Sequence, residues 1–332
     1  MPEFRQDPIT GRWVIIAPGR AMRPHQITAP SIPAHRETCP FCAGNEALTP
    51  GEVWALRDPA SEANTPGWTV RVVANKYPAL DDRGAEINRS GSFYRAAPAL
   101  GVHEVIIESP DHVVNLNELA AEQFANILYA CRARWRALAR DRRWRYVMIY
   151  KNHGDRAGAT LEHVHSQMVA LPQMPPQIVE ELDGANKHFA ATGRCIYCAI
   201  IEREIAHGER LVAQSESFVA LCPFAPRFGF ETWILPRKHD AAFEKTPDRE
   251  LAAFSEILRD FILMLNRLFD NAPFNYLLHS VPVDESGAEY YHWHLEILPQ
   301  ITRAAGFEWG SGMHMNSIAP EEAARLLRGA AV

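Results

Sequence analysis

The sequence predicts an α+β fold made of two tandem units, each an antiparallel sheet with one long helix. Two observations predict it. The first is a repeated order of metal-type residues. Cys39-x-x-Cys42, a lone His112 and His163-x-His165 are followed by Cys195-x-x-Cys198, a lone His239 and His292-x-His294. The lone His and the His-x-His lie about 50 residues apart in both halves, the mark of an internal repeat. The second is a repeated order of hydrophobic patterns: strands, one helical stretch, a strand, a loop and a closing strand. A chain of 332 residues has room for two such cores.

The elements follow in order. Residues 1–65 are rich in Pro and read as turns and short strands. Leu56 and the Pro/Ser/Asn run to Gly67 read as a loop. Residues 68–73 and 102–107 alternate as strands. Over 117–138 the period becomes helical, with Leu119, Phe124, Ile127, Leu128, Cys131 and Trp135 on one broad face. Residues 146–150 read as a buried strand, 152–160 as a Gly-containing loop and 165–171 as a last strand. The second unit has strands at 217–222 and 230–235, an amphipathic helix at 248–269, a strand at 275–279 and a closing strand at 292–298. A Pro-rich stretch at 171–178 and a polar helix to Thr192 connect the units. The expected domains are therefore 1–178 and 179–332. A short helix is expected at 321–328.

Composition excludes several classes. The net charge is −6 and no Lys/Arg block occurs, which argues against nucleic acid as a partner. No apolar run is long enough for a membrane span. The N-terminus lacks the basic-then-apolar pattern of a signal peptide, so a cytoplasmic location is expected. Six cysteines are too few for a disulfide scaffold in this length. Cys131 and Cys222 fall in apolar stretches and read as buried thiols without a chemical role.

The remaining four cysteines read as zinc ligands. A tight Cys-x-x-Cys turn is half of a tetrahedral thiolate–imidazole site. The expected ligand sets are Cys39, Cys42, His112 and His163, and Cys195, Cys198, His239 and His292. Closed four-ligand sites of this kind are structural. A redox pair belongs at the start of a helix in a thioredoxin-like unit, and no pattern here supports one.

The most chemically pointed stretch is His163-Val164-His165-Ser166-Gln167. On a strand, His163 and His165 would share a face, with Gln167 next in line. A metal taking His163 leaves His165 free, and an imidazole can attack phosphorus directly. Gln167 can donate an amide N–H to a phosphate oxygen. The loop 152–160 would supply backbone N–H groups and a hydroxyl beside it. The plainer reading is a pair of histidines satisfied within a core strand.

These residues carry a resemblance. The chain resembles the galactose-1-phosphate uridylyltransferase family of the histidine-triad superfamily over nearly its whole length. The matching segments are Arg20-Ala-Met-Arg23-Pro24, Cys39-Pro-Phe-Cys42-Ala-Gly-Asn-Glu46, Val70-Arg-Val-Val-Ala-Asn75-Lys-Tyr77-Pro-Ala-Leu80, Ser109-Pro-Asp-His112, Gly158-Ala-Thr-Leu-Glu-His163-Val-His165-Ser-Gln167 and His292-Trp-His294. The resemblance implies ping-pong nucleotidyl transfer. His165 would be the nucleophile on the α-phosphorus of a nucleoside-diphosphate hexose, and Gln167 would hold the phosphoryl oxygens. Arg20 and Arg23 would contact phosphate, Asn75 and Tyr77 the base, and Asn152, Gly158 and Thr160 the nucleotide phosphates. Cys39, Cys42, His112 and His163 would bind a structural zinc. A homodimer is implied, with each site drawing on both subunits.

Two departures stand out. Val164 replaces the Pro of the usual His-Pro-His. In place of the Tyr-Glu pair that contacts hexose stands Gly306-Phe307-Glu308-Trp309-Gly310-Ser311-Gly312, a segment that resembles the branch including plant ADP-glucose phosphorylases. Phe307, Gly310 and Gly312 are its candidate sugar-phosphate contacts. The second Cys-x-x-Cys resembles that branch too. His279 resembles a metal-site position in some relatives, with His239 and His292 the stronger ligands here. His294 is followed by Leu295-Glu296 and reads as non-catalytic. The expected function is UDP-glucose–hexose-1-phosphate uridylyl transfer. Adenylyl transfer from ADP-glucose to phosphate is its runner-up. Nucleotide hydrolysis, which Gln167 disfavours, and a zinc-stabilised nucleotide-binding protein without catalysis are the other readings.

Overall fold

The computed structural model describes residues 3–16, 37–83, 98–302 and 304–331. Arg20 and Arg23 lie outside them. Strands β1 (Glu3–Gln6) and β2 (Trp13–Ile16) open the chain as an antiparallel pair.

Strands β3 (Glu52–Arg57), β4 (Trp68–Ala74), β5 (Val102–Ile107), β6 (Tyr146–His153) and β7 (His165–Leu171) belong to the first half. Strands β8 (Leu211–Gln214), β9 (Phe218–Leu221), β10 (Thr232–Pro236), β11 (Phe274–His279) and β12 (His294–Pro299) belong to the second. They form one sheet ordered β3-β4-β5-β7-β6-β11-β12-β10-β9-β8. Read outward from its centre, each half has the same order, so the repeat in the sequence becomes a pseudo-symmetry of the sheet. The halves join where β6 pairs antiparallel with β11, from Phe274↔His153 to Leu278↔Ile149. A short strand β13 (His314–Asn316) runs parallel to β2 and completes the smaller sheet.

One long helix per half covers the sheet: α1 (Ala121–Leu138) and, later, α4 (Asp248–Phe269). Their apolar faces share one core, with Phe124, Ile127 and Trp135 from α1 and Phe254, Phe261 and Leu265 from α4. Trp293 lies fully inside it, ringed by Phe218, Phe243 and Phe254. Burial of side chains this size contributes about 1.5–3 kcal/mol each. Cys131 and Cys222 are buried as expected, and burial pushes the Cys222 thiol up to about 12. Between the long helices run α2 (Pro176–Thr192) and α3 (Ile196–His207); α5 (Gly306–Ser311) and α6 (Pro320–Gly329) end the chain. No helix among the described residues is long and apolar enough to cross a membrane.

Four expectations need correction. Leu56 is not in a loop but in β3, where it packs on the main core. The Pro/Ser/Asn run masked the strand before it. Cys195 is followed at once by α3, so the second Cys-x-x-Cys does open a helix, which buries Ile196, Tyr197 and Ile201. The stretch at 306–311, whose plainer reading from its glycines is an ordinary loop, is helical, ended by Gly312 in the left-handed conformation at φ 68. His163 and His165 are not side by side on a strand, because β7 begins at His165. Val164 instead bridges two segments: its N–H donates to Val113 O (2.9 Å) and its carbonyl accepts from Glu108 (3.2 Å). The amide that a Pro would lack is therefore satisfied here.

Candidate active site and metal centres

His165 starts β7 at the wall of a cleft and is only 8% exposed. Its Nδ1 lies 2.8 Å from the carbonyl oxygen of His163. A carbonyl can only accept, so Nδ1 carries the proton and Nε2 keeps its lone pair. Burial, reinforced by the Lys151 cation, lowers the affinity of this imidazole for a second proton. The ring is thus held neutral near pH 7, with a lone pair on Nε2. Phe41, from within the first Cys-x-x-Cys turn, meets it edge-on at 5.2 Å. Behind it, Lys151 Nζ donates to the His165 carbonyl (2.8 Å) and pairs with Glu108 (2.5 Å). Ser166 donates to Glu108 and hydrogen-bonds Tyr276 of β11. The His165 carbonyl is therefore held from β6, and the side chain of the next residue is tied to β11.

Gln167 lies two residues along β7, opposite Tyr150 of β6. Its Oε1 accepts from Tyr150 OH (3.0 Å) and lies 2.9 Å from His103 Nε2. The same cleft, about 500 Å³, is lined by Phe41, Asn75, Tyr77 and Thr160 as well as His165 and Gln167. Asn75 orders the turn, its Oδ1 accepting from the Tyr77 N–H at 2.9 Å. Tyr77 is 83% exposed at the rim. A larger recess of about 910 Å³ adjoins it, sharing Asn75 and walled by Asp81, Arg83 and Arg134. It holds none of the His-x-His chemistry, so the smaller cleft is the candidate site.

The loop after β6 is wound more tightly than expected. The N–H groups of Ala157, Gly158 and Ala159 all bond within the turn. They are spent on the loop itself and are not offered to a phosphate, so the expectation of a backbone N–H cradle there is corrected at these positions. Gly154 (φ 79) and Gly158 (φ 90) supply the left-handed backbone this turn requires. Asn152 accepts at Oδ1 from Asn275 Nδ2 (2.8 Å), which also donates to the Ala157 carbonyl (2.8 Å). Asn275 belongs to β11, so the second half also ties down this loop.

Both predicted ligand sets come together. Cys39, Cys42, His112 and His163 offer ligand atoms all within 4.8 Å of one another, as do Cys195, Cys198, His239 and His292. In the first, Sγ–Nδ1 separations are 3.3 Å (Cys42–His112) and 3.5 Å (Cys39–His163). In the second they are 3.4 Å (Cys198–His239) and 3.6 Å (Cys198–His292). Tetrahedral Zn–S and Zn–N bonds of about 2.3 and 2.0 Å span about 3.5 Å between sulfur and nitrogen. The outer nitrogens agree with this. His163 Nε2 faces Ser109 O (2.8 Å) and His292 Nε2 faces Pro236 O (2.8 Å). Each ring therefore carries its proton away from the thiols and turns a lone pair toward them. Burial holds His163 down at about 4, neutral as a ligand must be.

A third cluster was not foreseen as a set: Glu181, His279 and His294, all buried. His279 is thus apart from the Cys pair and binds Glu181 through Nδ1 at 2.8 Å. Its Nε2 is buried with no hydrogen-bond partner. Burial opposes the Glu181 charge, but His279 prevails and holds the carboxylate down at about 2. These three residues are a further place that could hold a metal.

The structure gathers Asn75, Tyr77, Thr160, His165 and Gln167 around one cleft. It does not gather Phe307 and Gly310, which lie on α5 against β13, or Gly312, which caps that helix. Sequence reasoning missed Phe41, His103, Tyr150 and Asn275. Three of them sit on strands beside named site residues, so strand pairing was the only signal for them. Phe41 sat inside a motif already singled out.

The family model described as galactose-1-phosphate uridyl transferase, N-terminal domain, matches residues 1–175. A domain of unknown function, DUF4921, matches residues 99–328. An ADP-glucose phosphorylase of Arabidopsis thaliana is 35% identical, over 98% of this chain and 92% of that one. A galactose-1-phosphate uridylyltransferase of Thermotoga maritima is 28% identical, over 99% of this chain and 98% of the other. A crystal structure of an ADP-glucose phosphorylase from Arabidopsis thaliana with bound ADP-glucose superposes with a TM-score of 0.83 at 33% identity, covering 99% of both chains. A uridylyltransferase structure gives 0.78 at 29% identity, covering 99% of this chain and 98% of that one.

Proposed function

The chain belongs to the galactose-1-phosphate uridyl transferase family, and from that premise we propose that it moves a nucleotidyl group from a nucleoside-diphosphate hexose, through His165, to a phosphate-bearing acceptor. Its relatives make it a nucleotidyltransferase. The observation that carries the mechanism is the His165 tautomer. With Nδ1–H given to the His163 carbonyl, Nε2 faces the cleft as the attacking lone pair.

The step balances simply. Nε2 forms a P–N bond at the α-phosphorus. The bond to the bridging oxygen breaks, and its electron pair leaves on hexose 1-phosphate. A phosphate leaving group has a second pKa of about 6 and needs little protonation. The positive charge on the nucleotidylated ring is shared with the His163 carbonyl at Nδ1. Gln167 donates its amide N–H to the non-bridging oxygens. Zinc, held by Cys39, Cys42, His112 and His163, supplies no chemistry in this scheme. Bound there, it would fix His163, and with it the carbonyl that sets the tautomer. A second zinc would do the same for His292.

Two donors fit. Family membership and several relatives named as uridylyltransferases support UDP-glucose, with hexose 1-phosphate as acceptor. One specific observation favours ADP-glucose with phosphate as acceptor: the 35% relative is named for that reaction, against 28% for the Thermotoga uridylyltransferase. We place Arg20 and Arg23 on the phosphates, Asn75 and Tyr77 at the base, and Asn152, Gly158 and Thr160 beside the nucleotide. Phe307, Gly310 and Gly312 are placed in a partner subunit's site, since α5 leaves Trp309 80% exposed. The protein is then a homodimer of two-unit chains divided at 178. The test is intact mass after incubation with UDP-glucose or ADP-glucose and no acceptor. A uridylyl or adenylyl adduct, lost in His165→Ala, names the donor. No adduct with either sugar overturns the reading.

A further inference from the structure

We infer that His103 and Tyr150 form a two-donor clamp that holds the Gln167 amide with its NH2 group turned to the substrate. This rests on the proposed role of Gln167. An amide can face either way, and only one face donates. In this site the choice is made by a relay that starts at a backbone group. The Ala79 N–H donates to His103 Nδ1 at 3.4 Å. With Nδ1 accepting, the His103 proton is placed on Nε2, and of the three groups around that nitrogen Gln167 Oε1 is nearest at 2.9 Å, ahead of Asn75 Nδ2 at 3.2 Å and Tyr150 OH at 3.3 Å. Tyr150 OH adds a second donor to the same oxygen at 3.0 Å. A flipped amide would set its NH2 against an N–H. Both acceptor sites of Oε1 are therefore filled by the protein, and both amide hydrogens stay available for phosphate oxygens.

His103 and Tyr150 are positioning residues, since they act through Gln167. They come from the two strands that flank β7, so the clamp is preorganised by sheet pairing. Preorganised donors are worth more than donors that must turn into place.

The experiment compares nucleotidyl-adduct formation in Tyr150→Phe, Gln167→Ala and the double variant, with His103→Leu as a second arm. Tyr150→Phe should slow adduct formation about tenfold, the worth of one hydrogen bond, while donor KM stays nearly unchanged. In the Gln167→Ala background it should cost nothing further. An equal cost in both backgrounds would overturn the clamp while leaving nucleotidyl transfer standing. So would an unaffected Gln167→Ala. A readout without turnover separates the two readings. The Gln167 side-chain amide resonances, identified by their loss in Gln167→Ala, should be a single sharp pair in the unmodified protein. They should broaden or double in Tyr150→Phe and in His103→Leu. An unchanged pair sinks the clamp. A changed pair without any adduct sinks the transfer reading alone.

Discussion

His165 and His294 occupy the same point of the repeat and share a tautomer. Each gives Nδ1–H to the carbonyl of a histidine two residues earlier that belongs to a candidate metal set, at 2.8 Å and 3.0 Å. Their surroundings differ. His165 opens on a cleft beside Phe41, Tyr77 and Gln167. His294 is 1% exposed and walled by Tyr197, Trp233, His279 and Tyr291. Two residues on, Gln167 is a neutral donor held by two protein donors. Glu296 is a carboxylate tied to Arg227. The repeat keeps the device that sets the tautomer, the Cys2His2 set and an aromatic ring from the Cys-x-x-Cys against the histidine, and differs in access and in the residue two positions on. On the proposed mechanism, the imidazole needs access and a donor beside it as well as its tautomer.

The comparison can be broken by exchanging the two roles. His165→Ala should abolish the nucleotidyl adduct, a loss of about 10⁵-fold or more, as when a nucleophile is removed. His294→Ala should keep the adduct and lower stability by about 2 kcal/mol, as for other truncated buried groups. Intact mass and thermal unfolding read the two outcomes. An adduct surviving in His165→Ala and lost in His294→Ala would reverse the assignment of the halves.

A smaller effect tests the neighbours. Gln167→Ala should slow adduct formation by about 10²–10³, the scale of one lost oxyanion donor. Glu296→Gln should leave that rate alone and destabilise the fold, because it leaves the buried Arg227 with Glu231 as its remaining carboxylate partner. Single-turnover kinetics and denaturant titration distinguish them.

The metal sites sharpen the contrast between scaffold and chemistry. Metal analysis should find two zinc ions per chain. Cys39→Ser should lose one ion and also slow the adduct, roughly tenfold or more, since ligand and outer-shell changes at metal sites cost 10–100-fold. Cys195→Ser should lose one ion and mainly lower the unfolding temperature. Equal effects on the adduct rate would show that the sites are not specialised.

The smallest effect crosses between the halves. Asn275→Ala removes the donor that holds Asn152 and the Ala157 carbonyl. It should raise donor KM several-fold, about 1 kcal/mol, with little change in kcat. An unchanged KM would mean that the loop keeps its shape without the second half.

Much of this was legible in the sequence. The helix at 248–269 and the strands at 102–107 and 165–171 match the structure residue for residue, because period is a local property of side chains. Both ligand sets were legible because thiolate and imidazole in a fixed order have few other uses. The errors were local too. Leu56 was hidden by the turn residues after it, and α3 by a motif that drew attention to its cysteines. The strand argument for His163 failed because β7 begins only at His165, so the two rings are not i and i+2 of one strand.

By itself the sequence determined the duplication, the long helices, the two Cys2His2 sets and the asymmetry between Ser166-Gln167 and Leu295-Glu296. These depend on residue type, order and period, which are properties of neighbours along the chain. The tertiary structure alone decided which His-x-His opens on a cleft, which way the Gln167 amide faces, and that Glu181 meets His279 and His294. Those depend on strand pairing that brings His103, 64 residues from Gln167, within 2.9 Å of it. A hydrogen bond across a sheet is set by register, and register is fixed only when the whole core packs.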